Sequence, residues 1–288
     1  MIHYREPLFR PPAEADSLIF QVAYGCPHNC CRFCGMYKTV RYAPRPPEEV
    51  WQEFVSGARR YPAARRIFLA DGDVMFLPFE RLQRYLQNLN ELFPQLARVG
   101  IYANASSILK YSEAELRQLR QSKLHTLYIG LESGDQQLLD RVGKTESAEG
   151  MVQAVRQAQQ SGLRCSVMIL LGLGGTEYSA GHAIRTAAIL NRMQPRLLSA
   201  LRFVELPDQT PFDRFQALSE YQVIEELQTL VSRLELHQTV FRANHSSNPV
   251  PLEGRFPAGQ PALLRQLDRL LSSGRLDRHG PGRLPLFL

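Results

Sequence analysis

Long apolar runs are missing from this sequence. The longest candidate, VMILLGLGG near residue 170, is well short of the roughly 18 consecutive apolar residues that a membrane-spanning helix needs. The N-terminal segment, MIHYREPLFRPPAEAD, has no apolar core followed by a cleavage site, so no secretory signal peptide is expected. Internal repeats and low-complexity segments are also lacking. These absences predict a cytoplasmic protein that has no membrane partner.

A strong charge of either sign is missing as well. The 288 residues include 34 Lys plus Arg and 28 Asp plus Glu, which gives a net charge of +6. This excess could favour anionic substrates or nucleic acid, but it is spread over predicted helices, where a solvated face is the simpler explanation. Hydrophobic residues make up 44% and charged residues 22%, as in ordinary globular domains. Nucleic acid is therefore the less favoured partner, and a small molecule the more favoured one.

Cysteine is scarce outside one loop. Four of the five cysteines fall within YGCPHNCCRFCGMYK, residues 24–38, and the fifth, Cys165, is predicted to be a small buried residue. In a reducing compartment such a cluster more often binds a metal or does chemistry than forms disulfides. Structural zinc sites often use two distant cysteine pairs, and no second pair exists here. Three convergent cysteines suit a four-iron cluster with one iron open to a non-protein ligand.

Two alternatives remain for the cysteine loop. One is a zinc knuckle that uses Cys26, Cys30, Cys31 and Cys34, and the other is a redox Cys-x-x-Cys pair. The adjacent Cys30 and Cys31 would strain a tetrahedral zinc site, which disfavours the knuckle.

Apolar runs alternate with amphipathic segments along most of the chain. Strands are predicted at 17–24, 66–71, 98–104, 124–133, 164–173 and 196–206. Helices are predicted at 46–60, 79–93, 112–121, 147–161, 178–193 and 216–237, with a last helix in ALLRQLDRLLSS, residues 262–273.

This alternation predicts an α/β fold with a parallel sheet and right-handed crossovers. Six strand and helix units are fewer than the eight of a closed barrel, so a partial (β/α)6 TIM-like barrel is preferred and a doubly wound sheet is the alternative. The predicted barrel core is 17–243, preceded by an N-terminal extension at 1–16 and followed by a loop-rich C-terminal extension at 244–288.

Polar or glycine-rich segments follow five of the predicted strands. Ligands of parallel α/β folds bind beyond the carboxyl ends of the strands, so these segments are candidate ligand contacts. The cysteine loop follows the first strand, and the later strands are followed by Asp71–Asp73, Asn104, Glu132 with Ser133, and Gly172–Gly175. A carboxylate such as Glu132 inside an apolar run is costly unless it is paired or ligand-bound, which favours a functional role. The Asp-Gly-Asp segment could equally be a turn with an aspartate helix cap.

The cysteine loop closely resembles the cluster loop of the radical S-adenosylmethionine (SAM) superfamily. That loop usually has the pattern Cys-x3-Cys-x2-Cys, with an aromatic residue before the last cysteine. Cys31 and Cys34 have the second spacing, and Phe33 precedes the last cysteine. The gap from Cys26 to Cys31 is one residue longer than usual, which makes Cys30 the inserted residue. The resemblance implies that Cys26, Cys31 and Cys34 bind a [4Fe-4S] cluster.

The resemblance extends over about residues 17–205 and implies a SAM site. Asp71, Gly72 and Asp73 stand where the superfamily carries a Gly-Gly-Glu type motif that contacts the SAM amino group. The resemblance implies that residues of YIGLESGDQQ contact the ribose and the methionine part of SAM. It also implies that the glycines of LLGLGG let the backbone approach the adenosine of SAM. The implied cofactor-binding residues are Phe33, Asp71, Gly72, Asp73, Asn104, Ser106, Glu132, Ser133 and Gly172.

The resemblance also implies a chemistry. A reduced cluster passes one electron into the sulfonium of SAM, and the resulting 5'-deoxyadenosyl radical takes a hydrogen atom from a substrate. The cysteines are too few for a second cluster, and a small organic substrate is predicted. The resemblance also implies an electron donor such as flavodoxin or ferredoxin. The alternatives are an RNA-modifying radical SAM enzyme and a non-catalytic iron-sulfur or zinc-binding regulatory protein.

Three other polar segments have simpler interpretations. His28 is expected to be exposed because it lies in a loop. Thr145–Ser147 is predicted to cap the following helix. Residues 241–248, FRANHSSN, are either a polar turn or part of the substrate pocket.

Overall fold

The computed structural model describes residues 2–205 and 210–282. Its strands are β1 (Leu18–Gln21), β2 (Ala23–Tyr24), β3 (Ala43–Pro44), β4 (Arg66–Ala70), β5 (Arg98–Tyr102), β6 (Leu124–Glu132), β7 (Arg164–Leu171), β8 (Leu197–Arg202), β9 (Val240–Ala243) and β10 (Leu252–Arg255). Its α-helices are α1 (Pro47–Arg60), α2 (Phe79–Leu92), α3 (Ala105–Ile108), α4 (Glu113–Gln121), α5 (Gln136–Arg141), α6 (Ala148–Gln160), α7 (Gly175–Met193), α8 (Glu220–Ser232) and α9 (Gln260–Ser272). Short 3-10 helices are formed by Pro12–Glu14 and Val74–Phe76.

The strands pair in chain order. One eight-stranded sheet has the order β1-β4-β5-β6-β7-β8-β9-β10. Neighbours β1 and β4, β4 and β5, β5 and β6, β7 and β8, and β8 and β9 are parallel, whereas β10 runs antiparallel to β9. A doubly wound sheet would reverse its strand order at a switch point, and this order does not. The predicted α/β class is confirmed, and the sequential strand order is that of a partial barrel.

Several predicted elements differ in their limits from the observed ones. The predicted strand 17–24 is divided into β1 and β2, because the chain leaves the main sheet at Val22 and β2 pairs with β3 in a separate two-stranded sheet. The predicted helix 216–237 is α8, which begins at a capping box formed by Ser219 and Gln222. The last residue of the predicted strand 196–206 and residues 283–288 of the predicted C-terminal extension lie outside the described residues.

The first of two compact units comprises Met1–Asn29, Met36–Ile129 and Gln153–Cys165. Its core contains Phe20 of β1, which packs edge-on against Phe54 of α1 with ring centroids 4.8 Å apart. Aromatic pairs in this geometry add stability beyond the buried area alone. Cys165 is 1% exposed, as predicted for a small buried residue.

The second unit comprises Cys30–Gly35, Gly130–Val152 and Ser166–Leu288. One of its apolar clusters has a buried core of Leu138, Val142, Leu173 and Phe212, with Phe33 packed against it. The predicted domain limits at residues 16 and 243 stay a prediction. None of the helices in the described part of the chain has the length and apolarity to cross a lipid bilayer.

Candidate functional site

The first part of the cysteine loop is fastened to the segment that follows β4. The Gly72 N–H donates to the Gly25 carbonyl at 3.2 Å, and the Tyr37 hydroxyl donates to Asp71 Oδ1 at 3.0 Å. Gln21 Nε2 donates to Asp71 Oδ2 at 2.9 Å. These bonds fix both ends of the loop to one carboxylate and one backbone N–H. Asp71 is 1% exposed, so its carboxylate holds the loop in place from a buried position.

Asp73 is a second buried anchor for the same loop. Its side chain is fully buried and contacts His28 Nε2 at 3.0 Å. The Ser107 hydroxyl donates to Asp73 at 2.7 Å, and the Asn104 N–H donates to it at 3.3 Å. The side chain of Asp73 does not cap the short helix that follows it, so the capping interpretation is wrong. The expectation that His28 is exposed is also wrong: its side chain is 17% exposed, because Asp73 draws the imidazole inward.

Gly72 allows the backbone after β4 to approach Cys26 closely. A Cβ atom added at Gly72 would lie 2.6 Å from the Cys26 Cβ and 3.1 Å from the Gly25 carbonyl oxygen. Real Cβ atoms do not approach other carbons this closely, because packed interiors have no room for an added methyl group. A glycine is therefore required at position 72 for the observed conformation of Cys26.

The second part of the loop, Cys30–Gly35, lies against the turn that follows α5. The Arg32 N–H donates to the Val142 carbonyl at 2.8 Å, and the Cys30 Sγ donates to the Gly143 carbonyl at 3.5 Å. The Lys144 ammonium lies 6.0 Å from the centre of the Phe33 ring, within the range of a cation–π contact. Cys30 and the aromatic residue before Cys34 are thus held by backbone and side-chain contacts of one turn.

The adjacent cysteines of this part have different surroundings. Cys30 is exposed, whereas Cys26, Cys31 and Cys34 are half-buried. Burial raises the pKa of the Cys31 thiol to about 12, and the Lys144 ammonium opposes this shift. A nearby cation favours the thiolate, which is the form that binds metals. The Sγ of Cys30 instead donates to the Gly143 carbonyl oxygen.

Glu132 ends β6 in a strained conformation and forms a buried ion pair. Its φ angle is +61°, in the left-handed region that residues other than glycine rarely adopt. Its Oε1 lies 3.2 Å from Lys144 Nζ, and the two side chains are 13% and 6% exposed. A Cβ at Gly130 would overlap the folded-back carboxylate of Glu132. Strain of this kind persists where the surrounding structure enforces it, and it is concentrated at functional sites.

A largely buried polar network connects Ser133, which directly follows β6, with residues of α7 and α8. The His182 Nδ1 lies 2.8 Å from the Ser133 Oγ, and its Nε2 lies 3.6 Å from Glu226 Oε1. Glu226 also accepts the Gly172 N–H at 2.7 Å and the Ser179 hydroxyl at 2.5 Å. Gly172 has a φ of +78°, so its N–H can turn toward Glu226. Through His182 and Glu226, the network ties together Ser133 and Gly172, two of the predicted cofactor contacts.

Replacing Glu226 by leucine is expected to lower the free energy of unfolding by about 1–4 kcal/mol, since the buried Gly172 N–H and the half-buried Ser179 hydroxyl lose their acceptor. Glu226→Gln is the matched control, because its amide oxygen can still accept the Gly172 N–H and its NH₂ can donate to Ser179. Urea denaturation of both variants measures the difference. Equal losses in the two variants would contradict this role of Glu226.

The burial of Asp71 predicts a pH-dependent stability. Burial raises the pKa of Asp71 from 3.8 to about 6, although the hydrogen bonds from Gln21 and Tyr37 oppose the shift. The folded protein then binds the Asp71 proton more tightly than the unfolded chain does. This contribution is fully present below about pH 4 and is lost as the pH rises to about 6.

Asp71→Asn should remove that dependence. The asparagine can accept from Gln21 through its oxygen and donate to the Tyr37 hydroxyl through its NH₂, so the local bonds are kept. Between pH 4 and 6 the wild-type protein is expected to lose about 2–3 kcal/mol of unfolding free energy relative to this variant. Urea denaturation at several pH values measures this loss of unfolding free energy. Asp16→Asn, at an exposed position, is the control. Parallel pH profiles for Asp71→Asn and the wild type would refute the prediction.

The remaining predicted residues lie in different surroundings. Asn104 is half-buried and Ser106 is exposed. The Ser147 hydroxyl accepts the Gly150 N–H at 2.9 Å at the start of α6, which confirms the predicted cap. Within 241–248, Phe241 belongs to β9, and Asn248 donates to the Ala200 carbonyl at 2.9 Å.

The loop cysteines fit the ligands of an iron–sulfur cluster. Three half-buried thiols are carried by one short loop, and the Lys144 ammonium opposes the rise that burial causes in the pKa of the Cys31 thiol. Among residues 2–205 and 210–282, no three His, Cys, Asp or Glu side chains are arranged to bind a single metal ion. In a [4Fe-4S] cluster each thiolate binds a different iron atom, so the ligands are spread around the cluster.

Solved structures share this fold at low sequence identity. Coproporphyrinogen III oxidase from Escherichia coli, a radical SAM enzyme, has a TM-score of 0.58 and 17% identity over 75% of this chain and 51% of its own. A methylornithine synthase has a TM-score of 0.54 and 18% identity, covering 88% of this chain and 81% of its own. A radical SAM methyltransferase from Kitasatospora setae has a TM-score of 0.54 and 17% identity, covering 68% and 38%. The chain thus spans about half of the oxidase and less of the methyltransferase.

The comparison of sequences gives the family. No curated protein sequence matches this chain. The family model described as the radical SAM superfamily matches residues 20–187, which is more than half of the chain and includes the cysteine loop, β4 to β7 and most of α7. Members of this family use a [4Fe-4S] cluster and SAM, and the resemblance predicted from the cysteine loop is confirmed. The chain belongs to the radical SAM superfamily.

Proposed function

We propose that this protein is a single-cluster radical SAM enzyme in which Cys26, Cys31 and Cys34 bind the [4Fe-4S] cluster. The contrast between the two adjacent cysteines carries this assignment: Cys31 is beside the Lys144 ammonium, whereas the Cys30 Sγ donates to the Gly143 carbonyl. Cys30 is then the inserted residue of the loop. When bound, the cluster supplies the electron that cleaves SAM to a 5'-deoxyadenosyl radical.

The predicted cofactor residues fall into two groups by burial. Glu132, Asn104 and Phe33 are half-buried, and Ser106 is exposed, so their side chains are proposed to contact SAM directly. Asp71, Asp73 and Ser133 are at most 2% exposed and hydrogen-bonded within the protein. We assign these three a positioning role. Asp71 and Asp73 hold the cysteine loop, and Ser133 belongs to the network that orients Gly172.

We propose that the Lys144 ammonium acts on both Glu132 and Cys31. Burial is the largest single effect and lowers the pKa of Lys144, but Glu132, Cys31 and Glu146 together raise the net pKa, so the side chain stays an ammonium. That charge holds Glu132 in its strained conformation and favours the thiolate of Cys31. The substrate is proposed to be a small organic molecule, and the reductant a small electron-transfer protein such as flavodoxin or ferredoxin.

Anaerobic reconstitution tests the proposed function. Purified protein is expected to bind about four iron and four sulfide per chain, to give the EPR signal of a reduced [4Fe-4S] cluster, and to release 5'-deoxyadenosine from SAM with dithionite. Colourless protein that holds zinc and no iron would reject the assignment. Iron-loaded protein that binds SAM without cleaving it would reject the catalytic part alone.

A further inference from the structure

A small cavity lies at the carboxyl end of β8. Its volume is about 180 Å³, and both Gly172 and Arg202 line it. A water molecule occupies about 30 Å³ in the liquid, so the cavity has room for several waters or for one end of a small organic molecule. Ligands of (β/α) barrels bind at the carboxyl ends of the strands, which is the end of β8 where this cavity lies.

The last residue of β8, Arg202, lines this cavity and carries a buried positive charge. Arg202 is 5% exposed and lies on the same face of the strand as the buried Leu198 and Ala200. Its Nη1 is buried and has no hydrogen-bond partner. None of the ion pairs found within 2–205 and 210–282 includes Arg202. A buried guanidinium without a counter-charge destabilises a fold, so its presence needs a reason.

Within residues 2–205 and 210–282, neither Glu205 nor Glu220 supplies that counter-charge. Glu205 lines the cavity and accepts the Thr210 hydroxyl at 3.3 Å. Glu220 accepts the Asp277 N–H at 3.0 Å and acts on Arg202 only as a more distant charge. Desolvation is the larger effect, and it lowers the pKa of Arg202. An anion brought into the cavity would restore the charge balance.

The rest of the lining is largely apolar. Phe203, Phe215, Leu218 and Val223 border the same cavity as Arg202. A pocket of this composition holds a carbon skeleton by its apolar walls, and its cationic group, Arg202, fixes the orientation of a bound anion. Arginine suits this second task because its planar group binds carboxylate or phosphate oxygens through two parallel hydrogen bonds.

We propose that Arg202 binds an anionic group of the substrate, a carboxylate or a phosphate, while the carbon skeleton of the substrate lies against Phe203 and Phe215. The inference rests on the proposed function, because Gly172, a proposed SAM contact, borders the same cavity. It narrows the substrate class to small organic anions with an apolar part. Arg202 is thereby a substrate-binding residue that the sequence motifs after the strands do not include.

Binding of two probe anions tests this inference on the full-length, anaerobically reconstituted protein. Propionate and inorganic phosphate are titrated at constant ionic strength, and the rise in the unfolding midpoint gives an apparent Kd for each. At least one probe is expected to stabilise the wild type and to bind at least about tenfold more weakly to Arg202→Gln. Propionate alone would identify a carboxylate, and phosphate alone a phosphate. Arg196→Gln, at the exposed position before β8, is the matched control and should behave as the wild type.

A second variant separates ligand binding from a structural role. Arg202→Met removes the unpaired charge and keeps a flexible apolar side chain, so the ligand-free variant should be at least as stable as the wild type. A clear loss of stability in Arg202→Met would show that Arg202 supports the fold and would overturn the inference. The inference is equally overturned if neither probe stabilises the wild type, or if Arg202→Gln binds both probes as tightly as the wild type does.

Two further measurements on the same samples keep the inference distinct from the proposed function. Iron content and SAM affinity are determined in parallel for the wild type and Arg202→Gln. A tenfold loss of SAM affinity in Arg202→Gln would place the guanidinium in the cofactor site and overturn the substrate assignment. Wild-type protein without iron would reject the proposed function on which the inference rests, whereas iron-loaded protein without an anion effect rejects the inference alone.

Discussion

Cys31→Ala is expected to abolish cluster assembly, whereas Cys30→Ala should leave it intact. The usual spacing of two residues before the last cysteine leads back from Cys34 to Cys31. Burial raises the pKa of the Cys31 thiol, and the Lys144 ammonium opposes that shift, so Lys144 is the neighbouring charge that favours the iron-binding thiolate. Cys30 is exposed and its Sγ donates to the Gly143 carbonyl, a weak hydrogen bond that Cys30→Ala removes.

Iron and sulfide per chain, measured after anaerobic reconstitution, distinguish the two variants. The expected result is near-zero iron for Cys31→Ala and wild-type iron for Cys30→Ala. Cys165→Ala is the control for the loss of any cysteine, since Cys165 is buried and lies outside the cysteine loop. If Cys30→Ala lost its iron and Cys31→Ala kept it, the spacing from Cys26 would be the usual three residues and the assignment would have to be exchanged.

The alternation of elements could be predicted because it depends on local periodicity. Six predicted strands correspond to six strands of the main sheet, and their sequential order follows from the rule that consecutive βα units lie side by side. Short elements could not be predicted in this way. β2 and β3 have two residues each and α3 has four, which is too few for any period to be recognised.

The position of Glu132 could be predicted, but not its partner or its conformation. A carboxylate at the end of an apolar strand indicates a pair or a ligand, and Lys144 is that pair. Nothing in the spacing of 12 residues between them indicates the contact. The left-handed φ of Glu132 is likewise set by the surrounding structure, since local preference opposes it.

Sequence patterns do not predict the buried hydrogen-bond networks that join residues far apart in the chain. Ser133 and His182 are 49 residues apart, and His28 and Asp73 are 45 apart. Serine after the strand and histidine within a helix are both common, so neither carries a local signal. Arg202 is a similar case, because an arginine at a strand end is usually exposed, and only the fold shows that this one is buried.

Gly72→Ala is expected to displace the cysteine loop and to destabilise the protein. The added Cβ would lie 2.6 Å from the Cys26 Cβ and 3.1 Å from the Gly25 carbonyl oxygen, so the loop or the segment after β4 has to move. Neither can move cheaply. The Gly72 N–H is bonded to Gly25, and Asp71 is bonded to Gln21 and Tyr37. Overpacking of this kind costs about 1–3 kcal/mol of unfolding free energy.

The displacement should appear in the cluster as well as in the stability, because Cys26 is the first proposed ligand. Iron content and the urea midpoint of Gly72→Ala are both expected to fall below those of the wild type. Gly254→Ala in β10 is the matched control, since its added Cβ would meet only Leu263 Cδ2, at an ordinary 4.0 Å. A Gly72→Ala variant that loses stability but binds full iron would show that the loop adapts without Cys26 leaving the cluster. Retention of both properties would mean that the close approach at Gly72 does not constrain the loop at all.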